Sequence, residues 1–152
     1  MYAALNLPEI TVKMRGTEIW DPLRKKYYRC TPEEWVRQHF LLYLVQHKNY
    51  PMGRMVSEHT VNYNGMKKRC DLALFNEHLS VDLIVECKAP EVKITQDTFY
   101  QIAKYTSVLQ APFLVLTNGL EHYCAFVDVK NKALRFLKEI PDFKELNEMK
   151  NS

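Results

Sequence analysis

Glycine is scarce in this chain of 152 residues, which contains only Gly16, Gly53, Gly65 and Gly119. No G-x-x-x-x-G-K-[ST] or G-x-G-x-x-G motif can be assembled from these positions. Both motifs need closely spaced glycines, because the backbone must approach phosphate groups directly. The scarcity therefore excludes a phosphate-cradling loop and a dinucleotide-binding fold, and we expect no use of ATP.

Long apolar stretches are also missing. The longest run, Phe40 to Val45, has six residues, whereas a membrane-spanning helix needs about 20. The first ten residues carry neither a basic segment nor a long apolar one, so we expect no signal peptide. The sequence predicts a cytoplasmic protein without membrane association.

Cysteines are few and far apart, at positions 30, 70, 87 and 124. A structural zinc site needs ligands paired at short spacing, and the chain has no C-x-x-C pair. Isolated cysteines within apolar stretches are typical of a reducing cytosol. We therefore expect no zinc site.

The composition is that of one globular domain, with 47% hydrophobic and 26% charged residues. We expect residues 31–140 to form the main unit and residues 141–152 a charged tail. Residues 1–30 are expected to form a β arm or small sheet of the same domain. The net charge of +3 permits nucleic-acid binding but does not argue for it.

The spacing of apolar residues predicts an α/β fold. Thr31 as N-cap, Pro32 as first helical residue and Glu34 as capping-box partner predict a helix that ends near His47. Asn64-Gly65 is typical of a hairpin turn, so the central strands should form an antiparallel meander. We expect strands over 10–14, 26–29, 55–63, 69–75, 80–88, 113–116, 123–129 and 133–137, a second helix over 95–109 and a fraying helix after 142. This order predicts a mixed sheet flanked by helices.

Charged residues interrupt the apolar strand V-D-L-I-V-E-C-K-A-P. Because side chains alternate between the two faces of a strand, Glu86 and Lys88 point the same way. Asp71 opens the preceding antiparallel strand, and the start of one such strand lies beside the end of the next. We therefore expect Asp71 beside Glu86 and Lys88, where buried charge must be paired or bound to metal.

Two converging carboxylates are natural ligands for a hard divalent cation. We expect Asp71 and Glu86 to bind Mg²⁺, with the backbone carbonyl of Cys87 as a further ligand and Mn²⁺ as a substitute. Such an ion activates water and neutralises charge on a phosphodiester. Lys88 would hold the attacking water or the developing negative charge.

The spacing of Asp71, Glu86 and Lys88 by itself allows other interpretations. An E-x-K pair is common on a solvated strand face, although the apolar flanks of this strand favour a site. Asp71, Glu86 and Lys88 could also form a buried ion-pair cluster in a structural or regulatory protein. A strong effect of divalent ions on thermal stability would argue against such a cluster.

Seven short motifs of the chain together resemble a known family over roughly residues 20–128. In order they are T-P-E-E-W-V-R-Q, N-Y-P, S-E-H-T-V, K-R-C-D-L-A-L-F, I-V-E-C-K-A-P, Q-I-A-K-Y and L-T-N-G. The ordered set is similar to the N-terminal nuclease domain of type I restriction enzyme R (motor) subunits, in the PD-(D/E)xK nuclease superfamily. The resemblance implies a restriction-endonuclease-like mixed sheet over residues 31–140 and metal-dependent hydrolysis of phosphodiester bonds in DNA.

The resemblance also assigns roles to single residues. Asp71 corresponds to the motif aspartate, and Glu86 and Lys88 correspond to the (D/E)xK pair. Gln101 and Tyr105 match a Q-x-x-x-Y motif on the following helix. Their spacing of four residues places both on one helix face, where they could order the site or contact DNA.

The first helix contributes further candidates. The resemblance places an acidic group of the site at Glu34, with Glu33 as the alternative, and Glu34 could combine this role with capping. Arg37 and Gln38 are expected to contact the substrate, unless they are ordinary solvated helix positions.

The ATP-driven motor of the family has no counterpart in the sequence, because no Walker motif occurs. A nuclease domain of this kind would act alone, as a homodimer or with other restriction-system subunits. The alternative is a nucleic-acid-binding module of the same fold that is catalytically silent or depends on a partner.

Overall fold

The structure is a computed structural model that describes residues 2–63, 65–109, 111–128 and 133–152. Its first strands form a small antiparallel sheet of β1 (Met14–Arg15), β2 (Glu18–Asp21) and β3 (Lys26–Arg29). The small sheet was expected, but the predicted strand over residues 10–14 is wrong, since β1 begins only at Met14. The register pairs Met14 with Ile19, and the contact with β2 extends only one residue further back, where the Trp20 N–H donates to the Lys13 carbonyl at 2.9 Å.

Helix α1 (Pro32–His47) begins where the sequence predicts. The Thr31 hydroxyl accepts a hydrogen bond from the backbone N–H of Glu34 at 3.1 Å, and Pro32 lies in the first turn. The Glu34 carboxylate binds Arg24 and Gln38, so only one half of the predicted capping box is seen. The opposite face of α1 enters the core through Val36, Phe40, Leu41 and Leu44.

The main sheet has six strands in the order β4-β5-β6-β7-β8-β9. After a short 3-10 helix (Met52–Arg54), the elements are β4 (Met55–Tyr63), β5 (Met66–Phe75), β6 (Val81–Cys87), α2 (Gln96–Leu109), β7 (Phe113–Thr117), β8 (His122–Asp128) and β9 (Ala133–Leu137). β4, β5 and β6 form the predicted antiparallel meander, whereas β6 and β7 are parallel because α2 crosses between them. The mixed sheet with flanking helices confirms the α/β class. Asn64 and Val129, which the sequence placed in a turn and a strand, lie outside the described residues.

Two apolar layers cover the main sheet. Leu83, Val85 and Cys87 of β6 join the layer that contains α1, and Ile84 joins the layer that contains Phe99 of α2. This is the alternation expected of a strand buried on both faces. β7 is buried along its whole length, as its apolar sequence predicts.

A last helix, α3 (Phe143–Lys150), packs against the core. Asp142 and Glu145 form a complete capping box, Leu146 is fully buried, and Lys150 pairs with Asp82 of β6 at 2.7 Å. The predicted short helix is confirmed, but the expectation that it frays is wrong, because its few apolar residues face the core. No helix within the described part of the chain is both long enough and apolar enough to span a membrane.

Candidate functional site

The candidate site lies where β5 and β6 separate. Their backbone pairing runs through Leu72 and Val85. One residue further on, the Asp71 carboxylate accepts a hydrogen bond from the backbone N–H of Cys87 at 2.8 Å. A side chain thus takes the place of a backbone acceptor, and this contact holds Asp71 against the end of β6.

Asp71 and Glu86 form a carboxyl pair in a largely buried position. Each carboxyl shifts the pKa of the other, so the two side chains lie close together. Burial, together with the neighbouring Asp71 charge, raises the pKa of Glu86 to about 8. Burial also raises the pKa of Asp71, against the opposing effects of the Cys87 N–H and the Arg37 charge. Two such groups carry one proton between them at neutral pH unless a cation replaces it.

Lys88 follows directly after β6. Its backbone N–H donates to the carbonyl of Thr117 on β7 at 2.8 Å, which fixes the start of the loop that leaves the sheet. The Lys88 ammonium opposes the rise in the pKa of Asp71 and of Glu86, so its charge lies close to both carboxyls. The structure therefore brings together the three residues that the sequence predicted as neighbours.

The first turn of α1 supplies a third carboxylate at the mouth of the site. Burial and the Asp71 charge raise the pKa of Glu33, and the Lys88 and Arg37 charges oppose this rise. Glu33 also contributes to the raised pKa of Glu86. Glu33 is exposed, so it faces both the carboxyl pair and solvent.

Glu34 points to a different set of partners. Its carboxylate pairs with Arg24 at 2.8 Å and with Arg37 at 3.5 Å, and it accepts a hydrogen bond from the Gln38 amide at 3.2 Å. Among the described contacts, Glu34 is linked to the carboxyl pair through these neighbours. Of the two first-helix candidates, Glu33 lies within electrostatic reach of the carboxyl pair and Glu34 supports the arginines behind it.

Arg37 joins α1 to the carboxyl pair. One guanidinium nitrogen lies 3.1 Å from Asp71, and the other contacts Ser57 at 3.2 Å and Glu58 at 3.4 Å. Arg37 is only 8% exposed and Gln38 1%, so neither is a solvated helix position. The buried Arg37 Nε and Gln38 Oε1 atoms have no hydrogen-bond partner among the described residues.

Glu58 is a member of this network that sequence analysis missed. Its carboxylate contacts Arg24 at 3.3 Å, Arg37 at 3.4 Å and Arg69 at 3.2 Å. Glu58 has a φ of 56° inside β4, and the β4–β5 pairing skips this position, opposite Asp71. The sequence around Glu58 alternates like an ordinary strand and does not predict a positive φ. The sequence around Arg24 predicts a turn but not its contacts with Glu34 and Glu58.

The second-helix candidates lie elsewhere. Gln101 is exposed on α2, and within the described contacts no bond joins it to Asp71, Glu86 or Lys88. Tyr105 belongs to α2, but its side chain lies outside the described part of the structure.

The donors present fit a hard divalent cation. Asp71 and Glu86 place two carboxylates side by side with raised pKa values, and the Cys87 carbonyl follows Glu86 directly. Among the described residues, no group of three or more His, Cys, Asp or Glu side chains is arranged around one ion position. This donor set matches Mg²⁺, which takes one or two carboxylates and completes its shell with water and substrate oxygens.

A comparison with family models shows the family of this chain, and a comparison with solved structures shows a shared fold. A family model described as the N terminus of type I restriction enzyme R protein matches residues 32–141. A fragment structure from Vibrio vulnificus YJ016, assigned as an HsdR subunit of a type I restriction enzyme, superposes with a TM-score of 0.56 at 17% sequence identity. The superposition covers 78% of this chain and 25% of that chain, so it shows a shared fold over about a quarter of that structure. A search among curated proteins found no significant match.

Proposed function

Because this chain belongs to the family of type I restriction enzyme R protein N-terminal domains, we propose that it is a Mg²⁺-dependent nuclease that hydrolyses phosphodiester bonds in DNA. The observation that carries this proposal is the Asp71–Glu86 pair. Two carboxyls lie close together in a largely buried position, with the pKa of Glu86 raised to about 8 although Lys88 lies beside them. A divalent cation would stabilise the charged form of both carboxyls.

Each residue of the site has a proposed role. Asp71, Glu86 and the Cys87 carbonyl would hold the ion, which when bound lowers the pKa of a coordinated water and neutralises phosphate charge. Mn²⁺ would substitute for Mg²⁺. Lys88 holds the attacking water or the negative charge that develops on the phosphate oxygens. Its single compact charge suits this position next to two carboxylates.

Residues of α1 would complete the site. Glu33 faces the carboxyl pair from solvent, so it is the better candidate to order water at the mouth of the site. Glu34 would act as a positioning residue, since it holds Arg24 and Arg37. Arg37 orients Asp71, and Gln38 supports Glu34. Gln101 of α2 is still proposed to support the metal site, and Tyr105 is still proposed to contact DNA.

The setting of the activity is also a proposal. This chain spans about a quarter of the solved HsdR fragment. We propose that it works as a homodimer or with other restriction-system subunits. The reaction needs no ATP in this scheme, and the cytoplasm is its proposed location.

One observation favours a second candidate, a DNA-binding module that depends on a partner for catalysis. Arg37 lies 3.1 Å from an oxygen of Asp71 and competes with an ion for that carboxylate. A partner that draws Arg37 away would then switch the site on. This candidate predicts DNA binding by the isolated chain without cleavage.

Cleavage assays test the proposal. Supercoiled plasmid and single-stranded DNA are incubated with the wild-type chain and with Asp71→Asn, in Mg²⁺, in Mn²⁺ and in chelator. We expect metal-dependent cutting by the wild type and a loss of at least about a hundredfold in Asp71→Asn, since the variant removes a charged ligand of the ion. Asp82→Asn is the matched control, because Asp82 is a buried carboxylate that binds Lys150.

The outcomes separate the candidates. Equal cutting by wild type and Asp71→Asn would contradict the proposed site. DNA binding without cutting in any metal would favour the partner-dependent module.

A further inference from the structure

The positive charge of the chain is concentrated in the small N-terminal sheet. Residues 13–29 contain six basic and two acidic residues, a surplus of four, whereas the whole chain has a surplus of only three. The remainder of the chain is therefore slightly acidic. A positive charge gathered in one segment attracts a polyanion more strongly than the same charge spread over the surface.

One face of this sheet combines cations with aromatic rings. The Trp20 and Tyr27 rings lie 5.1 Å apart. The Lys13 ammonium is 5.2 Å from the Trp20 ring centre, and the Arg15 guanidinium is 4.0 Å from that of Tyr27. Arg29 lies two residues after Tyr27 on β3 and shares its face, as does Glu18, which is the register partner of Arg29 on β2. We call Lys13, Arg15, Trp20, Tyr27 and Arg29 the basic face.

The cations of the basic face, Lys13, Arg15 and Arg29, are exposed to solvent. Arg15 pairs with Glu18 at 3.0 Å, and the two side chains are 65% and 43% exposed. An exposed pair of this kind adds little stability and exchanges readily with another anion. The rings beneath hold the Lys13 and Arg15 side chains in place, which reduces the conformational entropy lost on binding.

The small sheet is tied to the candidate site by one arginine. Arg24, in the turn between β2 and β3, bonds Asp21 at the end of β2 and stacks on the Tyr28 ring at 3.6 Å. The same guanidinium reaches Glu34 at 2.8 Å and Glu58 at 3.3 Å. The basic face is thereby held in a fixed position relative to the network that supports Asp71.

We propose that the basic face binds the sugar-phosphate backbone of the DNA that enters the Asp71–Glu86 site. Lys13, Arg15 and Arg29 contact phosphates, and the Trp20 and Tyr27 rings pack against the sugars or bases between them. This inference rests on the proposed function for the identity of the ligand, but it concerns binding and not cleavage.

Binding in chelator tests the inference apart from catalysis. Labelled single-stranded and duplex oligonucleotides are titrated with wild type, Lys13→Gln/Arg15→Gln, and the matched control Lys138→Gln/Lys144→Gln, over a range of salt concentrations. We expect the first variant to bind roughly tenfold more weakly, with a salt-dependence slope smaller by about 1.5 to 2, because two phosphate contacts are lost. The control, on exposed lysines outside the basic face, should bind as the wild type does.

Tryptophan fluorescence gives a second measurement, in which every charged residue of the basic face is kept. The chain has two tryptophans, Trp20 and Trp35, and we expect DNA to quench the wild type but not Trp20→Phe. Circular dichroism checks that each variant is folded.

Equal binding by both double variants, or no quenching at Trp20, would overturn the inference and leave the nuclease proposal intact. Binding at the basic face without any cleavage in Mg²⁺ would support the inference and contradict the proposed function. The single-stranded and duplex arms identify which form of DNA the face prefers.

Discussion

At the scale of residues, the site depends on two carboxyls that are unfavourable neighbours. Burial alone raises the pKa of a carboxyl, and a second carboxyl in contact raises it further. Asp71 and Glu86 combine both effects, while Lys88 and Arg37 offset them only in part. The protein tolerates this arrangement at a cost in stability, which is typical of residues kept for binding or chemistry.

The pH dependence of stability should reveal this pair. The folded-state pKa of Glu86 is raised from 4.5 to about 8 and that of Asp71 is also raised, so the folded state holds more protons than the unfolded state in this range. Stability in chelator is therefore expected to fall as pH rises from about 5 to about 8. Mg²⁺ should restore it most strongly at the alkaline end.

Urea unfolding at several pH values measures this slope. Glu86→Gln, which is neutral at every pH, should flatten it, whereas Glu139→Gln on an exposed glutamate should not. An unchanged slope in Glu86→Gln would argue against the raised pKa.

Glu58 offers a test of local backbone strain. At a φ of 56° any side chain with a Cβ is strained, so Glu58→Gly should be more stable than Glu58→Ala by about 1 kcal/mol. Both variants lose the arginine contacts, and their difference isolates the backbone. Val56 is an exposed residue of the same strand. There Val56→Gly should be less stable than Val56→Ala, because glycine weakens an ordinary strand. Urea unfolding compares the four variants, and an Ala variant at 58 as stable as the Gly variant would contradict the conformation.

Sequence reasoning located Asp71, Glu86 and Lys88 because strand alternation and antiparallel pairing are short-range rules. It did not find the roles of Glu58 and Arg24, since a positive φ and a contact between Arg24 and residues 10 and 34 positions later are tertiary features. Glu33 and Glu34 could not be separated either. They are adjacent on a helix, and only the packing of α1 decides which one faces the carboxyl pair.

At the scale of elements, the central feature is the end of the β5–β6 pairing. Leu72 and Val85 form a backbone pair, and Asp71 then bonds Cys87 through its side chain. The parallel neighbour β7 fixes the next residue through the bond from Lys88 to Thr117. The meander was predictable from the hairpin turn and alternation, whereas the parallel β6–β7 pairing required knowledge of how α2 crosses the sheet.

Helix α3 should contribute measurably to stability, contrary to the sequence expectation of a fraying tail. Leu146 is fully buried, so Leu146→Ala should cost about 2 to 5 kcal/mol in the free energy of unfolding. Lys144→Ala, on the exposed side of the same helix, should change it by less than about 0.5 kcal/mol. Chemical denaturation measures both, and equal small effects would mean that α3 is not docked.

At the scale of the whole molecule, the fold places two kinds of charge at defined positions. Negative charge converges at the carboxyl pair, and the surplus of positive charge lies in the small sheet. Arg24 connects them through Glu34 and Glu58. A net charge of +3 concealed this separation, since composition reports only the sum. The arrangement suits a protein that attracts a polyanion with one surface and binds a cation with another.

The central claim is that Asp71 and Glu86 hold a divalent ion, and calorimetric titration with Mn²⁺ tests it most directly. The titration is carried out at about pH 8 on wild type, Asp71→Asn and the control Asp82→Asn. We expect saturable binding by the wild type and by Asp82→Asn, with release of protons because the ion replaces the proton shared by the pair. Asp71→Asn should show no measurable binding. Equal binding by Asp71→Asn and wild type, or no binding by the wild type, would contradict the claim.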